Sequence, residues 1–179
     1  MCIRDRYMNQ KVRQLLFFAV GLIVSIGLDQ WTKALAVAKL KGNQPFVLIN
    51  GVFEFYYSEN RGAAFGMLQG RQFLFFIIAA FVLAAAVFVL VRMPSERRFL
   101  PLTACLFLLV SGAAGNMIDR ISQGYVVDFL YFKLIDFPIF NVADCYVVIA
   151  TFLLMILIFF VYSEEELSFL SFKKQRKEG

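Results

Sequence analysis

Residues 73–91 read FLFFIIAAFVLAAAVFVLV, an apolar run without a single charged side chain. A helix needs about 20 residues to cross the roughly 30 Å hydrocarbon core of a bilayer. A helix satisfies its own backbone hydrogen bonds in lipid, whereas an open strand does not. This run therefore predicts a membrane-spanning helix.

Three further apolar runs have a similar length, and they occupy residues 15–35, 99–118 and 142–162. Hydrophobic residues make up 60% of the 179-residue chain, more than is typical of soluble domains. The sequence thus predicts an all-α membrane protein with four transmembrane helices, forming a single domain over residues 1–179. Residues 1–7 are more polar and a second methionine follows at Met8, so we interpret 1–7 as a possible non-native leader.

Basic residues cluster at the ends of the apolar runs. One cluster precedes the first run, a second lies in the short 92–98 connection, and a third forms the basic tail. Cytoplasmic loops of membrane proteins are enriched in Lys and Arg. We therefore expect both termini in the cytoplasm and the longer connections 39–71 and 120–141 on the outer face. The expected partner of this charge pattern is membrane phospholipid, not nucleic acid.

The first outer connection contains a hairpin signal. Residues 46–49 read FVLI, Asn50-Gly51 follows, and residues 52–57 read VFEFYY. β-branched and aromatic residues favour strands, and Asn-Gly is typical of a type I′ turn. We expect a small extracytoplasmic β-hairpin or sheet between spans 1 and 2. It would either cap the bundle or offer an edge strand to an extended peptide.

Two aspartates border the predicted spans on the outer side, Asp128 in VVDF and Asp144 in NVAD. The chain has no histidine, which excludes Ser-His-Asp and Cys-His catalysis and any metal site that relies on imidazole. A carboxylate at the edge of hydrocarbon is costly to ionise and is a functional candidate. Two such groups brought close could share one proton and act as an acid/base pair.

Asp144 also has a structural interpretation. Asn141 lies three residues earlier, which is the spacing of a helix N-cap and the acidic residue of a capping box. The helix dipole would stabilise the same carboxylate. Spacing alone leaves both roles open for Asp144. For Asp128, the preceding Val126-Val127 pair predicts an extended segment.

Other polar residues fall at the same predicted edge. Asp29 and Lys33 are four apart and would share a helix face, either as a self-neutralising pair or as groups that meet a substrate. Gly112, Asn116 and Arg120 also repeat every four residues and line one face of the third span. Helix–helix bonding and substrate contact are equally compatible with this spacing.

Small residues accompany these polar groups. The segment 60–66 reads NRGAAFG, which permits close backbone approach. Asn60 and Gly62 are therefore candidates for holding a peptide, although a tight loop that re-enters the bundle fits as well. The SGAAG run at 111–115 predicts close helix packing in lipid. Asp119, which follows it, is expected to pair with a basic neighbour.

Five of these segments, in this order, resemble the bacterial lipoprotein signal peptidases, also called signal peptidase II. They are DQWTK at 29–33, NRGAAF at 60–65, GAAGNMIDR at 112–120, VVDF at 126–129 and FNVAD at 140–144. Each segment alone is weak evidence, but five in order across four predicted spans are very specific.

The resemblance implies an intramembrane aspartyl endopeptidase that cuts prolipoproteins just before a cysteine carrying a diacylglyceryl group. It implies Asp128 and Asp144 as the catalytic pair. The expected substrate-binding residues are Asp29, Lys33, Asn60, Gly62, Asn116, Arg120 and Asn141. The resemblance implies no metal and no cofactor. It also implies a site facing outward from the bacterial plasma membrane and inhibition by the cyclic peptide globomycin.

Two other functions are compatible with parts of the sequence. Intramembrane polar groups also mark ion paths, so a small transporter or channel component would show polar groups through the depth of the spans. A Ser/Lys peptidase would use Lys33 with Ser25 or Ser58. Ser25 lies roughly 12 Å before Lys33 along one helix, which is too far for proton transfer.

Overall fold

The computed structural model of the protein describes residues 3–62 and 72–171. Within these residues, the helices that are long and apolar enough to cross a membrane are Gln10–Leu40, Phe73–Arg92, Arg97–Gln123 and Val142–Val161. The chain is a membrane protein, and the predicted all-α fold with a small sheet is confirmed.

The elements follow one another in a simple order. The helices are α1 (Ile3–Leu40), α2 (Gln72–Arg92), α3 (Leu100–Gln123) and α4 (Val142–Ile156). The strands are β1 (Phe46–Ile49), β2 (Phe53–Asn60) and β3 (Val126–Phe132). Short 3₁₀ segments cover Arg97–Phe99, Lys133–Ile135 and Glu166–Leu170, and one π-helical turn, Leu157–Val161, continues α4.

Helices α1 and α3 extend beyond the apolar runs 15–35 and 99–118 that predicted them. Polar residues end an apolar run but do not by themselves end a helix. Helix α3 continues through Asp119 and Arg120 until Gly124, which has φ 80° and donates its N–H to the Arg120 carbonyl oxygen. The extension holds two charged side chains on a rigid helix just past the apolar run.

Helix α3 is the centre of the bundle, since it contacts α1, α2 and α4. Half of its apolar window (50%) is buried, against 11% in α2 and α4. Small residues permit this packing: a Cβ on Gly112 would lie 2.6 Å from the Ala143 carbonyl oxygen. A Cβ on Gly115 would overlap the Asp29 carboxylate. The close packing predicted for the 111–115 run is confirmed.

The predicted hairpin is confirmed as part of a three-stranded antiparallel sheet with the order β1-β2-β3. Its turn differs from the prediction. Gly51 has φ 71°, but Asn50 has no positive φ, so the type I′ assignment is wrong. Strand β1 is irregular near its end, and pairing resumes with Ile49 opposite Phe53, which leaves a longer connection than a two-residue turn.

A small core joins this sheet to the end of α1. Val127 and Phe129 of β3 pack with Ala36. Successive side chains of a strand point to opposite faces. Asp128, which lies between Val127 and Phe129, therefore faces away from this core.

Candidate active site

The two candidate carboxylates are held by one residue, Asn141. Its side-chain NH2 donates to Asp128 Oδ1 at 2.6 Å, and its backbone N–H donates to Asp144 Oδ2 at 3.1 Å. Asn141 and Asp128 are buried, and Asp144 is partly buried. The structure therefore brings together the two aspartates that the sequence singles out.

Asp128 lies on β3, in agreement with the extended segment predicted around it. Asn60, on the neighbouring strand, donates its side-chain NH2 to Asp128 Oδ2 at 2.8 Å. Each carboxylate oxygen thus accepts a hydrogen bond from an amide. Burial, and after it the charge of Asp144, raises the pKa of Asp128 to about 7. This carboxyl group can therefore carry a proton near neutral pH.

Asp144 lies in the first turn of α4 and completes a capping box with Asn141. The Asp144 N–H donates to Asn141 Oδ1 at 3.1 Å, and the Asp144 carboxylate accepts the Asn141 N–H. Its second oxygen accepts from Asn116 Nδ2 at 2.8 Å. The capping interpretation is confirmed. It is compatible with a chemical role, because the cap holds the carboxylate next to the residue that binds Asp128.

A buried ion-pair network adjoins the pair. Lys33 Nζ lies 2.9 Å from Asp29 Oδ2 and 3.1 Å from Asp119 Oδ2, and none of the three side chains is more than 4% exposed. Lys33 also donates to Asn116 Oδ1 at 2.9 Å. The pairing of Asp29 with Lys33 and of Asp119 with a basic neighbour is confirmed. Among the described residues, no three His, Cys, Asp or Glu side chains are grouped to hold a metal ion.

Arg120 links α3 to the end of β2. Its guanidinium donates to the Gly62 carbonyl oxygen at 3.1 Å and lies 4.0 Å from the Phe75 ring centroid. The Gly62 N–H donates to Asn60 Oδ1 at 2.9 Å. Gly62 is therefore held between Arg120 and the asparagine that binds Asp128. The rest of the small-residue segment, 63–66, lies outside the described residues.

Two further residues, Gln30 and Asp119, belong to this network but are not among the predicted site residues. Gln30 Nε2 donates to Asp119 Oδ1 at 2.9 Å and to Asp29 Oδ2 at 3.2 Å. Asp119 also accepts the Val127 N–H at 3.1 Å, so it reaches the strand that carries the catalytic candidate. The sequence offers a signal for Asp119 as a site residue, because it is an acidic residue at the end of an apolar run. Gln30 offered no such signal, because its bonds depend on how α1 packs on α3.

A family model described as Signal peptidase (SPase) II matches residues 21–160 of this chain. The chain belongs to the signal peptidase II family. Its relatives include the lipoprotein signal peptidase of Streptococcus thermophilus (strain CNRZ 1066), which is 44% identical over 139 residues, 78% of this chain and 90% of that protein. The lipoprotein signal peptidase of Clostridioides difficile (strain 630) is 39% identical over 149 residues, 83% of this chain and 99% of that protein.

Solved structures agree with membership of the signal peptidase II family. A bacterial membrane enzyme determined by the in meso method at 1.9 Å resolution has a TM-score of 0.71 and 32% identity, with 81% of this chain and 94% of that chain covered. A second, at 2.3 Å resolution, has a TM-score of 0.69 and 30% identity, covering 88% and 93%. Signal peptidase II is an aspartic peptidase family, so the resemblance drawn from five sequence segments is confirmed.

Proposed function

We propose that this enzyme removes the signal peptide from diacylglyceryl-modified prolipoproteins, cutting just before the lipid-modified cysteine, with Asp128 and Asp144 as the catalytic pair. One observation carries the choice of residues: Asn141 binds both carboxylates, at 2.6 Å and 3.1 Å. Relatives named lipoprotein signal peptidase support the substrate class.

The pair functions with one proton between its two members. The raised pKa of Asp128, about 7, supports retention of that proton near neutral pH. The ionised member takes a proton from the attacking water while the protonated member donates to the carbonyl oxygen of the scissile bond. The proton taken from water then goes to the leaving amine, and the proton given to the carbonyl oxygen returns to the carboxylate that donated it as the tetrahedral intermediate collapses. Water is thereby added across the peptide bond, and the pair returns to its starting state.

Neutral amides orient the two carboxylates. Asn60 and Asn141 donate to Asp128, and Asn116 and the Asn141 backbone donate to Asp144. Amides donate hydrogen bonds but do not titrate in this range, so they fix the geometry without competing for the proton. This arrangement supports a pair in which only the carboxyl groups exchange protons.

We propose contact with the substrate peptide for the groups around the pair: Asn60, Gly62, Asn116, Arg120 and Asn141. Asp29 and Lys33 belong to a different class, because within the described residues their side chains bond to one another, to Asp119, to Asn116 and to a backbone N–H, and to neither carboxylate of the pair. We therefore assign Asp29 and Lys33 to positioning of the pair.

We place the enzyme in the bacterial plasma membrane with both termini in the cytoplasm and the pair on the outer face. The basic residues of the 92–98 connection lie at the opposite end of the helices from the pair, which supports this orientation. The acyl chains of the substrate would stay in phospholipid beside the spans. The peptide would lie near strand β1, all of whose residues are exposed. Globomycin-type cyclic peptides are expected to compete with it.

The test is cleavage of a lipid-modified precursor by purified Asp128→Asn and Asp144→Asn variants. Each substitution keeps the side-chain shape but removes the titratable group, so we expect a loss on the order of 10³-fold. Asp136→Asn is the matched control, because it removes an exposed carboxylate on the same side of the molecule and should retain wild-type turnover. Near-normal turnover in either variant of the pair would refute the proposal.

The contacts of Lys33 do not favour a Ser/Lys peptidase. Its three N–H groups are directed at Asp29, Asp119 and Asn116. A lysine has three N–H donors, so none is left for a serine nucleophile. No comparable observation favours a transporter.

A further inference from the structure

The network of Asp29, Lys33 and Asp119 does more than neutralise charge. Its side chains are almost completely buried, between 0% and 4% exposed. A buried ion pair is weak evidence for a stabilising role, because the cost of desolvation often cancels the Coulomb attraction. The hydrogen bonds that Asp29 and Asp119 make outside the ion pairs are therefore more informative about the role of the network.

Asp29 and Asp119 each also accept a hydrogen bond from a backbone N–H, and in both cases the donor is the residue directly before one member of the catalytic pair. Asp29 Oδ1 accepts from Ala143 at 2.9 Å, in the first turn of α4. The N–H groups of a first helical turn have no partner within the helix, so this bond supplies one. Asp119 Oδ2 accepts from Val127 at 3.1 Å, on β3. Asp144 on α4 and Asp128 on β3 are therefore anchored in the same way: the backbone N–H of the residue before each one donates to a buried carboxylate.

Lys33 connects the two anchors. It lies 2.9 Å from Asp29 and 3.1 Å from Asp119, so α1 and α3 are joined at this point. Its remaining N–H donates to Asn116 Oδ1 at 2.9 Å. With its oxygen occupied by Lys33, the Asn116 amide presents its NH2 to the Asp144 carboxylate at 2.8 Å. The Lys33 ammonium group therefore contacts Asp29, Asp119 and Asn116, the three side chains through which this network holds the pair.

We propose that Asp119 is a positioning residue of the catalytic pair. Its bridge through Lys33 to Asp29 sets the separation of the two catalytic carboxylates by way of the two backbone N–H groups. This inference rests on the proposed function, because it needs the pair to be catalytic. A misplacement of about 1 Å at a reacting group can cost on the order of 100-fold in rate. Loss of the bridge should therefore lower kcat, while substrate binding around the pair is preserved.

Steady-state kinetics of the full-length Asp119→Ala variant test this inference, with a lipid-modified precursor in the same membrane mimetic as the wild type. We expect kcat per folded molecule to fall about 10- to 100-fold, with KM within about threefold of wild type. The folded fraction is measured by thermal unfolding. A merely structural residue would lower that fraction but would leave kcat per folded molecule unchanged.

Asp119→Asn separates the two roles of the carboxylate. The amide oxygen can still accept the Val127 N–H, but the ion pair with Lys33 is lost, so kcat should lie between the alanine variant and wild type. If Asp119→Ala does not fold, the asparagine variant decides by the same kcat criterion. Asp136→Asn, outside the bridge, should have wild-type kcat. Unchanged kcat in the Asp119 variants, or a rise in KM alone, would overturn the inference.

Different results would overturn the positioning role of Asp119 and the catalytic role of the aspartate pair. An inactive Asp128→Asn variant together with a fully active Asp119→Ala variant would overturn only the bridge. A near-normal Asp128→Asn variant would overturn the proposed function, whatever the Asp119 variants do.

Discussion

Both ends of the helical bundle carry polar clusters, but the two clusters bind different partners. At the end near the 92–98 connection, which we call the cap end, Lys11 Nζ donates to the carbonyl oxygens of Leu90 at 2.6 Å and Met93 at 3.1 Å. Arg98 donates there to a backbone carbonyl in the π-helical turn after α4. At the opposite end, where we propose the active site and which we call the active-site end, asparagine side chains donate to two carboxylates.

The two sets of hydrogen bonds have different causes. Those at the cap end complete the ends of helices, whereas those at the active-site end hold groups that can exchange protons. The last carbonyl groups of a helix have no partner within it, and cations are favourable near a helix C-terminus. Helix termination therefore accounts for the cap end. The active-site end contains more buried carboxylates than helix capping requires. Buried carboxylates are costly in a membrane protein, and their presence therefore indicates a function. Substitutions at the cap end should alter stability alone, whereas those at the active-site end should also alter turnover.

Outside the catalytic pair itself, the largest effect is expected for Gly115→Ala, at the active-site end. The added Cβ would overlap the Asp29 carboxylate, which is completely buried and has no space into which to move. We expect turnover to fall by about 100-fold through displacement of the pair. Overpacking should lower the free energy of unfolding by about 1–3 kcal/mol. Turnover and thermal unfolding, measured on the same preparation, check both.

Gly27→Ala is the matched control for this substitution. A Cβ on Gly27 would meet nothing within 4 Å, so the same chemical change should leave turnover and melting temperature at wild-type values. A fully active Gly115→Ala variant would contradict the expectation that changes at the active-site end alter turnover.

An intermediate effect, confined to stability, is expected for Lys11→Met at the cap end. Methionine retains an apolar side chain of similar length but cannot donate to the Leu90 and Met93 carbonyl oxygens. Losing these bonds should lower the free energy of unfolding by about 1–3 kcal/mol. Denaturation in detergent measures this change, and kcat per folded molecule should be unchanged. A loss of kcat at full stability would show that the cap end influences the pair.

The smallest effect is expected for Glu166→Gln, also at the cap end. Glu166 pairs with Arg98 at 2.9 Å, but the two side chains are 32% and 47% exposed. Exposed ion pairs contribute little to stability because water and salt screen them. We expect melting temperature and turnover to match wild type within experimental error. A marked fall in melting temperature would mean that charge pairing, more than carbonyl capping, holds this end together.

Features that depend on local sequence were predictable. The apolar runs predicted the four helices, Asn50-Gly51 predicted a hairpin, and the spacing of Asn141 and Asp144 indicated the capping box as one of two roles for Asp144. Each of these signals lies within a few residues and follows from backbone geometry or hydropathy. The exact turn type was not predictable, because it depends on the register of the strands.

Features that depend on packing were not predictable. Lys11 and Leu90 are 79 positions apart, and no sequence pattern links them. The hydrogen bond of Gln30 to Asp119 likewise exists only because α1 lies against α3. Within the proposed active site, the acids could be named as candidates from their position at apolar edges. Their convergence on Asn141 required the three-dimensional structure.

The pH dependence of kcat/KM for cleavage of a lipid-modified precursor tests most directly whether Asp128 and Asp144 act as a pair that shares one proton. An ordinary aspartate has a pKa of 3.8, whereas that of Asp128 is raised to about 7. The pair should therefore keep its shared proton up to neutral pH, and activity should fall as pH rises through about 7 and that proton is lost. Activity that rises with a single ionisation near 3.8 and stays constant well above pH 8 would contradict a catalytic pair that shares one proton.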